Sequence, residues 1–119
     1  MRNTSKARTK MGVPFRDYLV RRLRKEPALA KGYLSDAWDE GPETFLVALR
    51  DVVDAQGGVM RLAKKTGMHR VSLHTLLSAK GNPRLDNLSR ILEALNVRVA
   101  FASKAESRKA EPRRKKKAG

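Results

Sequence analysis

The sequence predicts an all-α protein of five or six helices. Apolar residues recur at helical spacing through most of residues 13–102. Helix breakers separate those stretches: Glu40-Gly41-Pro42, Gly57-Gly58, Gly67 and Gly81-Asn82-Pro83. Strand-like alternation is confined to one pentapeptide, Val97 to Phe101.

In chain order, Phe15, Tyr18, Leu19 and Leu23 form a first apolar stripe. Ala30, Tyr33, Leu34, Ala37 and Trp38 follow the pattern of an amphipathic helix, and this spacing assigns Tyr33 and Trp38 to the core. Pro42 suits only the first turn of a helix, so it ends one helix and opens the next. Phe45, Ala48, Leu49, Val52 and Val53 carry that next stripe up to Gly57-Gly58. Two short helices follow in "RLAKKTGMHRVSLHTLLS", residues 61–78, with Gly67 between them. After loop chemistry at 79–84, Leu85, Leu88, Ile91, Leu92 and Leu95 mark a last helix, which Asn96 ends. "VRVAF" at 97–101 allows one short strand, whose natural partner would be its own copy in a second subunit.

A chain of 119 residues fits one small domain, here 13–102. There is no cysteine, which excludes a disulfide framework and a cysteine-based zinc site. No apolar run approaches the roughly 20 residues of a membrane span. Residues 1–10 are basic and polar, unlike a secretory signal. The net charge of +15 is unevenly spread. Residues 1–12 carry four bases and no acid, residues 103–119 eight bases and two acids, and the middle 15 bases and ten acids. The ends therefore read as disordered basic arms, at 1–12 and 103–119. A polyanion is the natural partner of such a chain, although basic arms alone could serve solubility.

The broken helix at Gly67 suits a DNA-reading device. A helix-turn-helix joins two short helices through a tight turn that often holds glycine. Leu62, Ala63, Gly67, Leu73 and Leu76 are its expected framework, with Gly67 at positive φ and Ala63 small enough for close helix approach. At about 100° per residue, Leu73, Leu76 and Leu77 share one side of the second helix. Val71, His74, Thr75 and Ser78 share the other. Arg70, Val71, Ser72, His74 and Thr75 are the candidate base-reading set: Arg70 can fork onto guanine, and Val71 can touch a thymine methyl group. Lys64, Lys65, His69, Ser78, Lys80, Asn82 and Arg84 are the candidate phosphate contacts. The bland alternative is a helical hairpin packed in a core with solvated lysines.

The stretch "LAKKTGMHRVSLHTLLSAKGNP" through "LDNLSRILEALNV" resembles a phage-repressor-type (Xre, Cro/cI-like) helix-turn-helix domain. Leu62, Ala63, Gly67, Leu73, Leu76, Gly81, Asn82, Pro83, Leu88 and Leu95 stand where that framework has its typical residues. Upstream, "DYL", the "YL…A" helix, "FLVALRDVV…GG" and "KGNP" match the HigA-like addiction-module antitoxins in order. Together these pieces cover about residues 15–101. The resemblance implies a homodimer that binds double-stranded operator DNA and represses its own promoter. It implies a cognate toxin, typically a RelE-like mRNA endonuclease, and a bacterial, cytoplasmic, nucleoid-associated setting. Two positions depart from the family. His69 and Arg84 stand where a capping Ser or Thr is usual, with Asp86 placed to compensate at the second through the helix dipole.

A toxin that binds RNA should be basic, so the acids around "DEGPE", namely Asp36, Asp39, Glu40 and Glu43, are the candidate toxin contact. The alternative is that they only decorate a solvated turn. No enzyme site assembles. His69 and His74 lie about 140° apart on a helix and cannot share a metal. Ser72, His74 and Asp86 form a nucleophile set by residue type only, and no cofactor motif is present. Three readings follow: an antitoxin and autorepressor, a stand-alone repressor, and a nonspecific nucleic-acid coat driven by the basic arms.

Overall fold

The computed structural model describes residues 12–78 and 80–105. The basic arms otherwise lie outside the described residues. Six helices are present among them: α1 (Gly12–Lys25), α2 (Leu29–Glu40), α3 (Pro42–Ala55), α4 (Gly58–Thr66), α5 (Arg70–Leu76) and α6 (Leu85–Ala94). The architecture is all-α, as the periodicity predicts.

α3 is the central element. It buries Phe45, Leu46, Ala48, Leu49, Val52, Val53 and Ala55. α1 and α2 each pack on it, and α4 packs on it, on α5 and on α6. Leu49, Leu73 and Ile91 have no exposed surface and come from three different helices. Each such burial contributes about 1.5–3 kcal/mol. The breakers stand where the sequence places them. Gly41, at φ 134°, ends α2 by donating to the Ala37 and Trp38 carbonyls, and Pro42 opens α3. Gly57 is left-handed between α3 and α4, and Asn96 has φ 65° after α6.

A polar joint fastens α1 and α2 to α3. Asp51 is 4% exposed, the only buried charged residue among those described. Its carboxylate accepts from Arg16 Nε at 2.8 Å and from the Tyr33 hydroxyl at 2.6 Å. Arg16 Nη2 also donates to Asp54 at 2.6 Å, and Arg24 donates to the Ala55 and Asp54 carbonyls at the end of α3. The buried carboxylate is thus fully partnered, as a charge in an apolar core must be. The Asp54 hydrogen bond, followed by the charges of Asp51 and Asp54, holds the Arg16 guanidinium above its ordinary range despite partial burial.

Several expectations are corrected. Residues 97–101 form no strand within the single chain: a strand needs a pairing edge, the six helices provide none, and the edge expected of it was that of a second copy. Phe101 is instead 95% exposed. Trp38 is 62% exposed rather than core. Ala30, Leu34 and Ala37 centre the buried face of α2, and Trp38 lies one step around the helix from Ala37, at its margin. Its ring meets Phe45 edge to face, centroids 5.1 Å apart and planes at 81°. Tyr33 is half-buried, its hydroxyl committed to Asp51. Phe15 and Tyr18 are about half exposed. Arg16, Leu19 and Leu23 form the inward line of α1, because the Arg16 ion pair turns that face toward α3. Leu85, at the exposed start of α6, is also outside the core.

Candidate nucleic-acid interface

The unit α4–turn–α5 rests on short-range chemistry. Gly67 is left-handed at φ 76°, and its N–H donates to the Ala63 carbonyl at 2.9 Å. A side chain there would meet open space, so the backbone conformation, not crowding, selects glycine. Thr66 completes the turn: its hydroxyl donates to the Leu62 carbonyl at 2.9 Å and accepts the Met68 N–H at 3.1 Å. His69 occupies the capping position of α5 with extended backbone and makes no side-chain cap. Arg84 holds the same position at α6, also without a side-chain cap, while Asp86 accepts the Asn87 N–H at 2.8 Å.

α5 divides sharply into two faces. Leu73 and Leu77 are buried. Leu62 is buried on the inner face of α4, and Ala63 packs half-buried against the core. Leu76, expected in the framework core, is only half-buried, and Leu77 takes the deeper place one residue on. Opposite them, Arg70, Val71, Ser72, His74 and Thr75 are all exposed, Val71 at 64%. Two shallow grooves flank this ridge. One is lined by Arg50, Gly57 to Met60, Arg70, Val71 and His74. The other is lined by Met68, His69, Val71, Ser72, Thr75, Leu76 and Asn87. The candidate reading set is therefore brought together but split, with Arg70 and His74 on one side, Ser72 and Thr75 on the other, and Val71 bordering both. Arg50, Met60 and Asn87 join these grooves without a sequence signal. They reach the ridge from α3, α4 and α6, and only the tertiary fold brings them there.

Of the candidate phosphate contacts, Lys64, Lys65, His69, Ser78, Lys80, Asn82 and Arg84 are all exposed. None but His69 lines a groove, so they flank the ridge rather than form it. Lys65 donates to the Ala94 carbonyl at 3.3 Å, and Arg84 pairs with Asp86 at 3.5 Å. Ser78 donates to Thr75 O at 2.9 Å, and Thr75 to Val71 O at 3.3 Å, which leaves both hydroxyls as acceptors. Gly81 donates to Ser78 O at 2.8 Å, and a Cβ there would collide with the Leu76 and Thr75 carbonyls. The loop thus turns back against the end of α5 at backbone distance.

A family model described as probable addiction module antidote protein matches residues 17–103. The chain belongs to this antidote family. No curated protein and no solved structure matches it. The matched span runs from within α1 past α6, so Asp51 and Tyr33 of the joint, the acidic α2–α3 corner and the α4–α5 unit fall inside it, while Arg16 lies one residue before it. An antidote has a toxin for its counterpart. The acids expected to meet it, Asp36, Asp39, Glu40 and Glu43, are all exposed on the antidote's surface. Among the described residues, no helix is long and apolar enough to cross a membrane.

Proposed function

We propose that this antidote is an antitoxin of a type II module that also represses its own operon. In this reading α5 enters the major groove of operator DNA. Arg70, Val71, Ser72, His74 and Thr75 face the base edges, and the flanking bases meet phosphate. The observation that carries it is the two-sided α5: Leu73 and Leu77 fully seated, five polar or small side chains outward, and a left-handed Gly67 before them. Two copies would place their reading helices roughly 34 Å apart on a two-fold site. Exposed Val99 and Phe101 give each copy apolar surface toward the other. The toxin partner is a RelE-like mRNA endonuclease, a class whose RNA-binding surface is cationic and so opposite in sign to the α2–α3 corner.

The test is a footprint on the module's own promoter, compared with random DNA of equal length. Wild-type chain should prefer the operator by about 10³-fold or more. Arg70→Ala should lose about 1–3 kcal/mol on the operator and relax specificity there. Equal losses on operator and random DNA would remove Arg70 from the reading set.

A further inference from the structure

The α2–α3 corner is the one part of the molecule that repels nucleic acid. From Ser35 to Leu49 there are four acids and no base, while the rest of the chain holds 27 bases and eight acids. Asp36, Asp39, Glu40 and Glu43 are exposed, and among the described residues none of them forms an ion pair. Among the described residues, the acids that form ion pairs are elsewhere, at Glu26, Asp51, Asp54 and Asp86. In the same corner stands Trp38, 62% exposed. The contact with buried Phe45 holds one part of the indole and leaves the rest in water. Val47 is half-exposed one turn along α3 from Glu43, on the same side of that helix. A restrained, solvent-facing tryptophan in a corner whose charge is of one sign has the composition of a binding hot spot.

We infer that the α2–α3 corner, with Trp38 as its exposed anchor and Asp36, Asp39, Glu40 and Glu43 as its charge, is the docking surface for the basic face of the toxin. This rests on the antitoxin reading above. The indole face receives an arginine or lysine of the partner, and the carboxylates, spread around the end of α2 and the start of α3, meet further bases of that face. The sign of the corner excludes DNA as the occupant and matches a protein that binds RNA. The placement also leaves α5 uninvolved: Trp38 belongs to the α2–α3 corner, and neither groove beside α5 includes any residue of that corner. One antidote molecule can therefore hold toxin and operator together.

The experiment is calorimetric titration of full-length antidote with the purified toxin of its own module, using wild type, Trp38→Ala and the double variant Asp39→Lys/Glu40→Lys. Thermal melts confirm that each variant is folded. Both variants should weaken toxin binding about tenfold or more, and Trp38→Ala should footprint the operator like wild type. For wild type the association rate should fall steeply with salt, and for the double variant this dependence should flatten. Unchanged toxin affinity in both folded variants overturns this surface while leaving the antitoxin reading intact. Failure of the wild-type chain to bind toxin at all overturns both. If Trp38→Ala leaves toxin binding intact but dissociates a dimer in sedimentation, the occupant is a second copy, and the inference is wrong. If removal of residues 106–119 abolishes the difference between wild type and the variants, the chain's own basic tail is the occupant, and it is wrong in the same way.

Discussion

Gly67 and Gly81 are both glycines of the α4–α6 region, yet they are required for opposite reasons. Gly67 has a left-handed backbone and empty space around it. Gly81 has the Leu76 and Thr75 carbonyls where its Cβ would go. Gly67→Asn should therefore cost a few tenths of a kcal/mol to about 1 kcal/mol, since asparagine tolerates that region. Gly67→Val should cost more, because a β-branched residue is strained there. At position 81 even alanine should cost about 1–3 kcal/mol by forcing the loop off the end of α5. Urea denaturation of the three variants separates the two cases, and equal losses for Gly67→Asn and Gly81→Ala would contradict the distinction. The positive φ of Gly67 was readable from sequence, because a glycine between two apolar helical patterns has few other uses. The crowding at Gly81 was not, because it comes from carbonyls that a sequence does not display. Arg16 follows a third logic. The hydrogen bond to Asp54 raises the guanidinium above its ordinary range, so its contribution is complete below the ordinary arginine range and is lost only as pH climbs through the raised one. Stability measured between mildly acidic and mildly alkaline pH should show no step from this residue.

Among the elements, the joint between α1, α2 and α3 is the least apolar contact in the core. Tyr33 reaches Asp51 from α2, and Arg16 reaches both Asp51 and Asp54 from α1. Asp51→Ala should cost about 1–3 kcal/mol, because the Tyr33 hydroxyl and the Arg16 Nε both lose their acceptor. Half-exposed Arg16 can turn to water, which keeps the loss below that of a wholly buried pair. Asp51→Asn should cost less, since an amide oxygen still accepts. A chemical-denaturation series over the two variants checks that order. The apolar stripes of α2, α3 and α6 could be read in advance because each buries one side of a regular helix. Asp51 could not: its partner Arg16 is 35 residues away in the chain, and nothing local marks an acid in "RDVVDA" as inward. Trp38 misled for a related reason. Helical spacing gives the angle of a side chain but not where the neighbouring helix ends, and the margin of a stripe is decided by that edge. Residues 97–101 misled differently, because alternation specifies a strand only when another edge is present to pair with it.

For the whole molecule, charge separates the roles of arm and domain. If the basic arms supply only sequence-independent attraction, deleting residues 106–119 should reduce the salt dependence of DNA binding by about 0.9 logarithmic units for each phosphate that the tail had neutralised. On the proposed reading, the preference for operator over random DNA should survive, since the candidate reading set on α5 is untouched. Loss of that preference on deletion would instead favour the nonspecific coat. The site itself was legible to different depths. The five outward residues of α5 were readable from their angular positions, whereas Arg50, Met60 and Asn87 come from other helices of the chain. α3 links the two halves: α1 and α2 pack against it, and so does α4, which in turn packs against α5 and α6. This gives the molecule a simple rule of inheritance. If the proposed surfaces hold, a lineage could exchange its first two helices, and with them Trp38 and most of the acids proposed to meet the toxin, while keeping the proposed operator-reading helix unchanged. The exchange would need to preserve one cation and one hydroxyl able to reach residue 51, which makes that carboxylate the coupling standard between interchangeable parts.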